Sequence, residues 1–545
     1  MNIKNKISIR KNLLIVFSLF MFVCFNTATS NNLSIGVPTK AADSLIFTVS
    51  WDNSWRVSAG PSNWDAIWLF VKWQDCTGNR IWKHSQVVKA WVAGAVLKTE
   101  VPTDLTGVYL YRIADGQGNI AATNVSITIE PIAVGTYNYE VHGIEMVYIP
   151  RGSFQLGDAA QTDTRSDAFT NYTVVDSTAI PADGLGTNAK NGLIPTTFPR
   201  GQYSMYCMKY EISQEQYVNF LNCLTFDQQV TRCGGIASVN GGAGTFTVAY
   251  PVNSTYSGIV IDIPGTNNMI PAAYATNCTN DANYGNFNDC QTNAMERLSW
   301  ADMAAYLDWA CLRPMSEIEF EKICRGTLPR VANEYAWGDN NIAQVTLASV
   351  TNLSQYNQVS NLSSLGLCNY GRELGSPLAG PYRVGMLAKS TTVRNNAGTT
   401  YYGVADMSGN VTEICVGVGG GSTGAASLNT GGLIFDGRIG DGNLTATGDA
   451  NVTNWPAIPA TLNCGIAMRG GSYYSHSSAY TNATYYMSWM GNLRVSDRTY
   501  MYRAAGLSPF GVNTINNYSA GLDGRYQGTG GRGVRQILPY FTITY

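Results

Sequence analysis

Residues Leu312-Arg313-Pro314-Met315-Ser316-Glu317-Ile318-Glu319-Phe320-Glu321 contain a helix start directly after an Arg-Pro pair. Ser316 and Glu319 form a capping box, in which each side chain accepts a hydrogen bond from the backbone N–H of the other residue. Phe320, Ile323 and Cys324 follow at helical spacing. The sequence therefore predicts a helix that begins after Ser316 and buries these three side chains.

Two further capping boxes lie upstream. Ser213 with Gln216 precedes apolar residues at positions i, i+3, i+4 and i+7, namely Tyr217, Phe220, Leu221 and Leu224. Ser299 with Asp302 begins another helix, which is expected to bury Met303, Leu307 and Ala310. Beyond Cys324 the chain is rich in Gly, Asn, Ser and Thr, with brief strands and no long repeat. These patterns predict an α+β unit with a few helices and much irregular structure.

Residues 32 to about 130, which precede this unit, are predicted to contain only strands. Apolar residues alternate with polar ones, first at Leu45, Phe47, Val49 and Trp51 and finally at Val125, Ile127 and Ile129. This pattern predicts an all-β sandwich of immunoglobulin type, although the usual Cys-Trp-Cys core is absent. The predicted organisation is a leader at 1–30, the sandwich at 31–132, a linker at 133–142 and the α+β unit at 143–545.

One segment of the sandwich, residues 62–73, is unusually rich in aromatic residues. Such a segment could form a carbohydrate-binding platform on the surface. The favoured interpretation is that it supplies core and edge packing, which is the commoner role of aromatic side chains in strands.

The composition restricts the possible partners. Charged residues make up only 13% of the chain and the formal net charge is -2. The sequence therefore offers no basic stripe for nucleic acid and no polybasic membrane surface. The abundance of Gly, Tyr, Asn, Ser and Thr is typical of extracellular proteins built from loops and strands.

The first thirty residues resemble a secretion signal. A basic start is followed by an apolar run from Leu13 to Val23, with small residues at Ala28 and Ser30. We therefore expect a secreted or cell-surface protein of a bacterial envelope, with no transmembrane segment, because the apolar run is shorter than the ~20 residues that span a bilayer. Lipidation at Cys24 is the alternative, but Val23 stands where that processing requires Gly, Ala or Ser.

Twelve cysteines are present, of which Cys24 lies in the leader and eleven remain. An odd number leaves at least one unpaired thiol, and the nearest candidate disulfides are Cys278–Cys290 and Cys223–Cys233. There is no CxxC pair, and the chain has only three histidines. A His-rich zinc or non-haem iron site is therefore not expected.

Several motifs in residues 143 to 536 resemble, in the same order, those of the formylglycine-generating enzymes, or sulfatase-modifying factors. The two most characteristic are Asp406-Met407-Ser408-Gly409-Asn410-Val411-Thr412-Glu413 and Arg469-Gly470-Gly471-Ser472-Tyr473. The other matching stretches are 146–157, 209–213, 298–302, 312–321, 335–338 and 533–535. Each is weak alone, and their collinearity carries the resemblance.

The resemblance implies a variant of the C-type lectin fold stabilised by calcium. The family's calcium ligands correspond here to the side chains of Asp406 and Glu413 and to the carbonyls of Gly409 and Val411. A hard cation requires such clustered oxygen atoms. A weaker second site corresponds to Asn369 and the carbonyl of Tyr370, but its carboxylate position falls near Ser376. The alternative at the first site is a capped turn without metal.

The resemblance also implies an activity that this chain lacks the residues to perform. The family oxidises a cysteine of a client sulfatase with two active-site thiolates, and their positions here are Ser475 and Tyr480. Neither residue replaces a soft thiolate in copper binding, so copper is not expected. A family Trp is also replaced, by Thr412. The vestigial site comprises Ser472, Ser475, His476 and Tyr480, with His476 interpreted as a plain hydrogen-bonding side chain.

Residues 473–530 are dense in Tyr, Asn, Ser and Thr. This mixture suits recognition surfaces, and the stretch resembles the variable segment of proteins diversified by retroelements. The predicted ligand-binding face comprises Tyr473, Tyr474, Tyr480, Tyr485, Tyr486, Trp489, Tyr500 and Tyr502. The alternative is that loops of secreted proteins are commonly polar and aromatic.

Three function classes follow. The first is a non-catalytic surface protein that binds or scaffolds an unknown protein or glycan ligand, and a diversified ligand-binding protein is one version of this class. The second is a structural component of an envelope, secretion or gliding apparatus. The third is a copper-dependent cysteine oxidase with rewired thiols, for which Cys464 and Cys415 are the nearest candidates.

Overall fold

The structure is a computed structural model that describes residues 32–77, 81–160, 171–175, 180–181, 193–247, 249, 256–371, 380–389, 392–418, 433–456, 465–473, 475, 490–498, 525 and 527–537. The predicted leader, including Cys24, lies outside these ranges. No helix within them has the length and apolar character needed to cross a membrane.

The amino-terminal unit is built from strands, as predicted. They are β1 (Ser34–Ile35), β2 (Thr39–Ala41), β3 (Ser44–Arg56), β4 (Asp65–Asp75), β5 (Trp82–Ser85), β6 (Val87–Val92), β7 (Leu97–Glu100), β8 (Val108–Arg112) and β9 (Gly116–Ile129). One sheet has the order β1-β3-β9-β6, with β2 on β3, and β4, β5, β7 and β8 belong to a second sheet. Leu45, Phe47 and Val49 of β3 point between the sheets, where Val125 and Ile127 of β9 meet them. The alternation read from the sequence thus corresponds to the sandwich core.

The second unit contains the helices α1 (Gln214–Asn222), α2 (Phe226–Cys233), α3 (Ala237–Asn240), α4 (Trp300–Trp309) and α5 (Glu317–Arg325). All three predicted capping boxes form, before α1, α4 and α5. A fourth, Thr225 with Gln228, begins α2. The side chains predicted to be buried by α4 and α5 are buried, among them Met303, Leu307 and Phe320.

Short strands join these helices. They are β10 (Tyr137–Ile149), β11 (Phe154–Leu156), β12 (Tyr172–Val174), β13 (Ile180–Pro181), β14 (Leu193–Ile194), β15 (Met205–Met208), β16 (Ile259–Ile263), β17 (Ala273–Thr276), β18 (Arg313–Pro314), β19 (Ala343–Gln344), β20 (Val350–Thr351), β21 (Val359–Ser360), β22 (Leu367–Cys368), β23 (Thr412–Val416), β24 (Ile466–Arg469), β25 (Thr529–Gly530) and β26 (Gly533–Gln536). Except for β10, each has five residues or fewer. The unit is α+β with much irregular structure, as expected.

The two units share one sheet, which the sequence did not predict. β10 pairs antiparallel with β4 from Tyr137↔Asp75 to Val147↔Asp65, and its last four residues also pair with β15. The resulting order is β18-β26-β15-β10-β4-β8-β7. The segment predicted as a linker, 133–142, therefore enters a strand at Tyr137. The physical reason is that β4 would otherwise present a long edge of unpaired backbone groups.

The aromatic segment 62–73 lies at this junction. In β4, Ile67, Leu69 and Val71 face the sandwich core, whereas Ala66, Trp68 and Phe70 face the second unit. Trp68 donates a hydrogen bond from Nε1 to the carbonyl of Ala310 over 2.9 Å. Because Trp68 and Phe70 are completely buried, they serve packing and are not part of a carbohydrate platform.

The cysteines divide as follows in the described ranges. Cys278 and Cys290 form a disulfide, as predicted. The other suggested pair, Cys223 and Cys233, is not bonded, and both thiols are buried and free. Cys223 instead lies beside Glu140 and His142 of β10.

Candidate functional site

The vestigial site begins where β24 ends. β24 pairs antiparallel with β23, with Glu413 opposite Arg469. Gly470 and Gly471 follow with φ angles of 80° and 61°. A Cβ atom on Gly470 would lie 2.7 Å from the carbonyl oxygen of Met407, so only glycine allows this turn to pack against the 406–413 loop.

Ser475 closes a buried turn after these glycines. Its Oγ accepts a hydrogen bond from the backbone N–H of Ser472 over 3.1 Å, and its own N–H donates to the carbonyl of Ser472 over 2.9 Å. Its carbonyl accepts a third hydrogen bond from Gly371. The side chain is fully buried. The position expected for the first thiolate therefore holds a hydroxyl engaged in structure.

Tyr473 was predicted to contribute to the ligand-binding face, and the structure places it in the interior. It is fully buried, and its hydroxyl donates to Glu296 Oε2. Glu296 also accepts hydrogen bonds from Ser257 and from the N–H of Gly528. A Tyr on this side of the strand fills the core because the turn at Gly470 and Gly471 directs it inward. The other predicted face residues and site residues, Tyr474, His476, Tyr480, Tyr485, Tyr486, Trp489, Tyr500 and Tyr502, lie outside the described residues.

The nearby described thiols are unsuited to redox chemistry as they stand. Cys415 lies in β23, fully buried, and burial raises its pKa well above the usual range, with the Glu413 carboxylate adding to the rise. Burial also raises the pKa of Cys368, whose thiol donates to the carbonyl of Ser408. Because the thiolate is the attacking nucleophile in thiol exchange, neither group is activated for that reaction in this setting. Cys464 lies outside the described residues.

A cluster of three buried carboxylates lies behind the turn. Asp406 Oδ2 accepts a hydrogen bond from the N–H of Gly385 over 2.6 Å, and Glu211 accepts one from the N–H of Val411 over 2.9 Å. Glu413 Oε1 accepts from Arg532 Nε over 2.6 Å. Burial raises the pKa of all three carboxyl groups and outweighs the attraction of Arg532.

The oxygen atoms of this cluster fit the predicted calcium site in one respect and oppose it in another. Glu413 Oε2 is buried and accepts no hydrogen bond from a described residue, and the same holds for Oδ1 of Asn369. Such orphaned oxygens are the ligands that a hard cation takes. However, the guanidinium of Arg532 already neutralises the other oxygen of Glu413. Calcium at Asp406, Gly409, Val411 and Glu413 stays a prediction.

The second predicted calcium site is less well supplied. The carbonyl of Tyr370 accepts a hydrogen bond from Gln344 Nε2 over 2.8 Å, and Asn369 uses its Nδ2 to donate to Asn410. Ser376, at the missing carboxylate position, lies outside the described residues. Of the oxygen atoms predicted for this site, Asn369 Oδ1 is the one that accepts no hydrogen bond from a described residue.

Comparison with protein families identifies the second unit. The model of the sulfatase-modifying factor enzyme 1-like domain matches residues 136–491, which is well over half of the chain. The chain belongs to this family. A search of curated proteins finds no match. The matched range of the sulfatase-modifying factor domain begins beside β10, the strand that joins the two units, and leaves out the whole of the segment 31–132.

A buried ionic network holds the sulfatase-modifying factor domain together around Arg469. Its Nη1 lies 3.2 Å from Glu317 Oε2, and its Nη2 lies 3.0 Å from Glu321 Oε1. Glu317 also binds Arg498 over 2.8 Å, and Glu321 binds Arg325 over 3.1 Å. The arginine of the Arg-Gly-Gly-Ser motif thus ties β24 to α5, and this role is independent of any catalysis.

Two residues of the site were missed by the sequence reasoning. Glu211 lies in a stretch that carried the resemblance, but nothing there marked it as a partner of the 406–413 loop. Arg532 directly precedes the closing Gly533-Val534-Arg535 motif. It lies 119 residues from Glu413 in the chain, so only the parallel pairing of β23 with β25 brings the two together.

Proposed function

We propose that this member of the sulfatase-modifying factor family is a non-catalytic, secreted or cell-surface protein that binds or scaffolds. The observation that supports this most is Ser475, whose buried hydroxyl closes a turn where the family's first thiolate would stand. At the second position the sequence has Tyr480. Hydroxyl and phenol oxygens do not bind Cu(I) as paired thiolates do.

The proposal includes an architecture. Residues 31–132 form an immunoglobulin-like sandwich, and residues 143–545 form the family's variant of the C-type lectin fold. The sandwich acts as a spacer or docking module in an extracellular or envelope setting. Its support is the leader-like sequence at 1–30 and the low content of charged residues.

An oxidation assay tests the absence of catalysis. The purified chain is titrated with Cu(I) and incubated with a cysteine-containing peptide under oxygen, and formation of the aldehyde product is followed by mass spectrometry. We expect neither stoichiometric copper binding nor turnover. Turnover that is lost in Cys464→Ser or Cys415→Ser, but kept in Cys76→Ser on the sandwich, would establish the rewired oxidase instead.

We propose that the binding face lies in residues 473–530 without Tyr473. The support is compositional, since Tyr with Ser and Asn provides rigid contact area and adaptable hydrogen bonds. A glycan array and a screen of surface proteins test for the ligand, with Tyr485→Ala and Tyr500→Ala as loss-of-binding variants.

Comparison of the gene among strains tests diversification, which requires substitutions confined to adenine-containing codons of this window. Recovery of the chain in a large membrane-bound complex would favour the envelope-apparatus alternative.

Calcium is part of the proposal as a structural ion at the 406–413 loop. If calcium binds only the native state, a calcium concentration of 100 times its Kd raises the free energy of unfolding by about 2.7 kcal/mol. Thermal unfolding with and without calcium measures this, and Glu413→Gln is expected to abolish the shift because it removes a charged ligand. An unchanged thermal unfolding midpoint of the wild-type chain at millimolar calcium would contradict the calcium site. Arg532 would then be the cation that neutralises Glu413.

A further inference from the structure

Three side chains that can ligate metals meet at the junction of the two units. Glu140 and His142 are two residues apart on β10 and point to the same face of the strand. Cys223 is the residue after the end of α1, where its N–H bonds to the carbonyl of Phe220. In the part of the chain that the structure describes, this is the one group of three Cys, His or acidic residues whose ligand atoms all lie within 4.8 Å of one another.

The distances among the three ligand atoms match the edges of a zinc tetrahedron. Zinc bonds are about 2.0–2.2 Å to nitrogen and oxygen and about 2.3 Å to sulfur, which at tetrahedral angles separates nitrogen from oxygen by about 3.4 Å and sulfur from either by about 3.6 Å. Here His142 Nε2 lies 3.3 Å from Glu140 Oε2. Cys223 Sγ lies 3.6 Å from Glu140 Oε2 and 3.9 Å from His142 Nε2.

The surroundings hold the ligands in place and leave access from one side. The imidazole of His142 stacks on Phe70 at 5.3 Å and meets the edge of Trp309 at 4.8 Å. Cys223 is buried, whereas the Glu140 side chain is 45% exposed. His142 also lines a cavity of about 660 Å³. An ion held here would keep a position open, as zinc sites with three protein ligands do.

The local charge is compatible with a divalent ion. A thiolate and a carboxylate together neutralise Zn²⁺, and the imidazole adds no charge. Lys72 is the nearby cation, and its ammonium group donates to the carbonyls of Trp309 and Gly442 over 2.7 Å each. A neutral metal complex beside Lys72 costs less electrostatically than an unpaired divalent ion would.

A second His–Cys pair provides the contrast. Cys311 Sγ lies 3.5 Å from His84 Nε2, but no carboxylate completes a group of three there within the described residues. The two pairs lie on either side of Phe70, whose ring is 6.4 Å from His84. The junction thus contains two His–Cys contacts. Only the contact of His142 with Cys223 has a carboxylate, that of Glu140, close enough to complete a set of three ligands within the described residues.

We propose that Glu140, His142 and Cys223 bind a zinc ion, in a site with three protein ligands and one open position. Sulfur, nitrogen and oxygen together suit a borderline metal such as zinc better than Cu(I), which prefers soft thiolates, or calcium, which takes oxygen alone. The ion would fasten β10 to the end of α1, and so the shared sheet to the helices of the sulfatase-modifying factor domain. No sequence motif marks this site, because Cys223 lies 83 residues from Glu140 in the chain.

Metal analysis of the full chain tests the site. The purified protein is dialysed against zinc-containing and then zinc-free buffer, and bound metal is measured by mass spectrometry. Cobalt(II) substitution adds a second readout, because only a thiolate ligand produces a sulfur-to-cobalt charge-transfer band in the near ultraviolet. We expect one zinc per chain and that band. Absence of both, or retention of copper in place of zinc, would overturn the proposal.

Variants assign the ligands. Cys223→Ser is expected to remove the charge-transfer band, and Cys223→Ser and His142→Gln to weaken zinc binding at least tenfold. Glu140→Gln is expected to weaken it by a similar factor, and its exposed position keeps the fold intact. Cys311→Ser and His84→Gln are the matched controls and should leave both readouts unchanged. Equal loss in the controls, or unchanged binding in Glu140→Gln and Cys223→Ser, would contradict the assignment.

Discussion

At the scale of single residues, Asp302 is a buried charge with several functions. Its Oδ2 accepts a hydrogen bond from Ser299 at the start of α4 and forms an ion pair with Arg525 over 2.6 Å. Its Oδ1 binds Arg232 over 3.1 Å. Burial works against ionisation, but the two arginines prevail and lower the pKa of this carboxyl group below its usual value.

Asp302→Asn is therefore expected to destabilise the fold by about 3 kcal/mol at neutral pH, because it leaves buried guanidinium charge without its anionic partner. Arg232 retains Asp449, which keeps the loss at the lower end of the range for buried pairs. Urea denaturation measures the change. Asp262→Asn on β16 is the control, since Asp262 is exposed and its replacement should alter the free energy of unfolding by less than about 0.5 kcal/mol.

The ion pairs of Asp302 with Arg232 and Arg525 also predict that the stability of the fold depends on pH. The folded-state pKa of Asp302 is depressed, so its stabilising contribution is present above the unfolded pKa near 3.9 and is lost as the pH falls through the folded value. The difference between wild type and Asp302→Asn should therefore be full at pH 7, begin to shrink below about pH 4, and vanish once the pH is below the folded pKa. A difference that stays constant into strong acid would show that packing, and not the charge, is responsible.

At the scale of elements, β4 is an interior strand of the shared sheet, and both of its faces are buried along residues 65–72. Trp68→Ala is expected to cost about 3–5 kcal/mol, because it opens a cavity between the units and removes the hydrogen bond to Ala310. Trp91→Ala on β6 is the matched control, since Trp91 is 60% exposed. The free energies of unfolding of both variants check this. Equal losses of stability in the two variants would mean that the burial of Trp68 at the junction does not stabilise the fold.

Elements of local origin could be predicted from the sequence, and contacts between distant segments could not. The capping boxes before α1, α4 and α5 and the alternation in β3 depend on residues three or two positions apart, so their signals lie in the sequence itself. The pairing of β4 with β10 leaves no such signal. The apolar run of β4 does not identify the strands beside it, and nothing local assigns residues 133–142 to its edge, so the sequence predicts a linker there.

The same distinction applies to the candidate site. The replacement of a thiolate by Ser475 could be read from the motif, because a residue type at a motif position needs no knowledge of contacts. The inward direction of Tyr473 could not, since it depends on the positive φ angles at Gly470 and Gly471. The pairs of Glu413 with Arg532 and of Glu140 with Cys223 join segments far apart in the chain.

At the scale of the whole molecule, the shared sheet predicts one cooperative unfolding transition. Eleven residue pairs join β10 to β4, and Lys72 and Arg535 add bonds across the junction, to Gly442 and to Asp104 respectively. If the two units depend on each other, tryptophan fluorescence and far-ultraviolet circular dichroism should report the same midpoint in urea. Separate transitions would contradict this coupling.

Separation of the units provides the stronger test. A chain of residues 133–545 alone would expose the β10 edge that β4 covers and the apolar surface that Trp68 and Phe70 bury. Because such edges and patches promote association, we expect this fragment to aggregate, whereas the full chain stays dispersed under the same conditions in light scattering. Adding the separate segment 31–132 should restore dispersion if the strand pairing is what is missing. A stable, monomeric 133–545 fragment would instead show that the sulfatase-modifying factor domain folds independently of the sandwich.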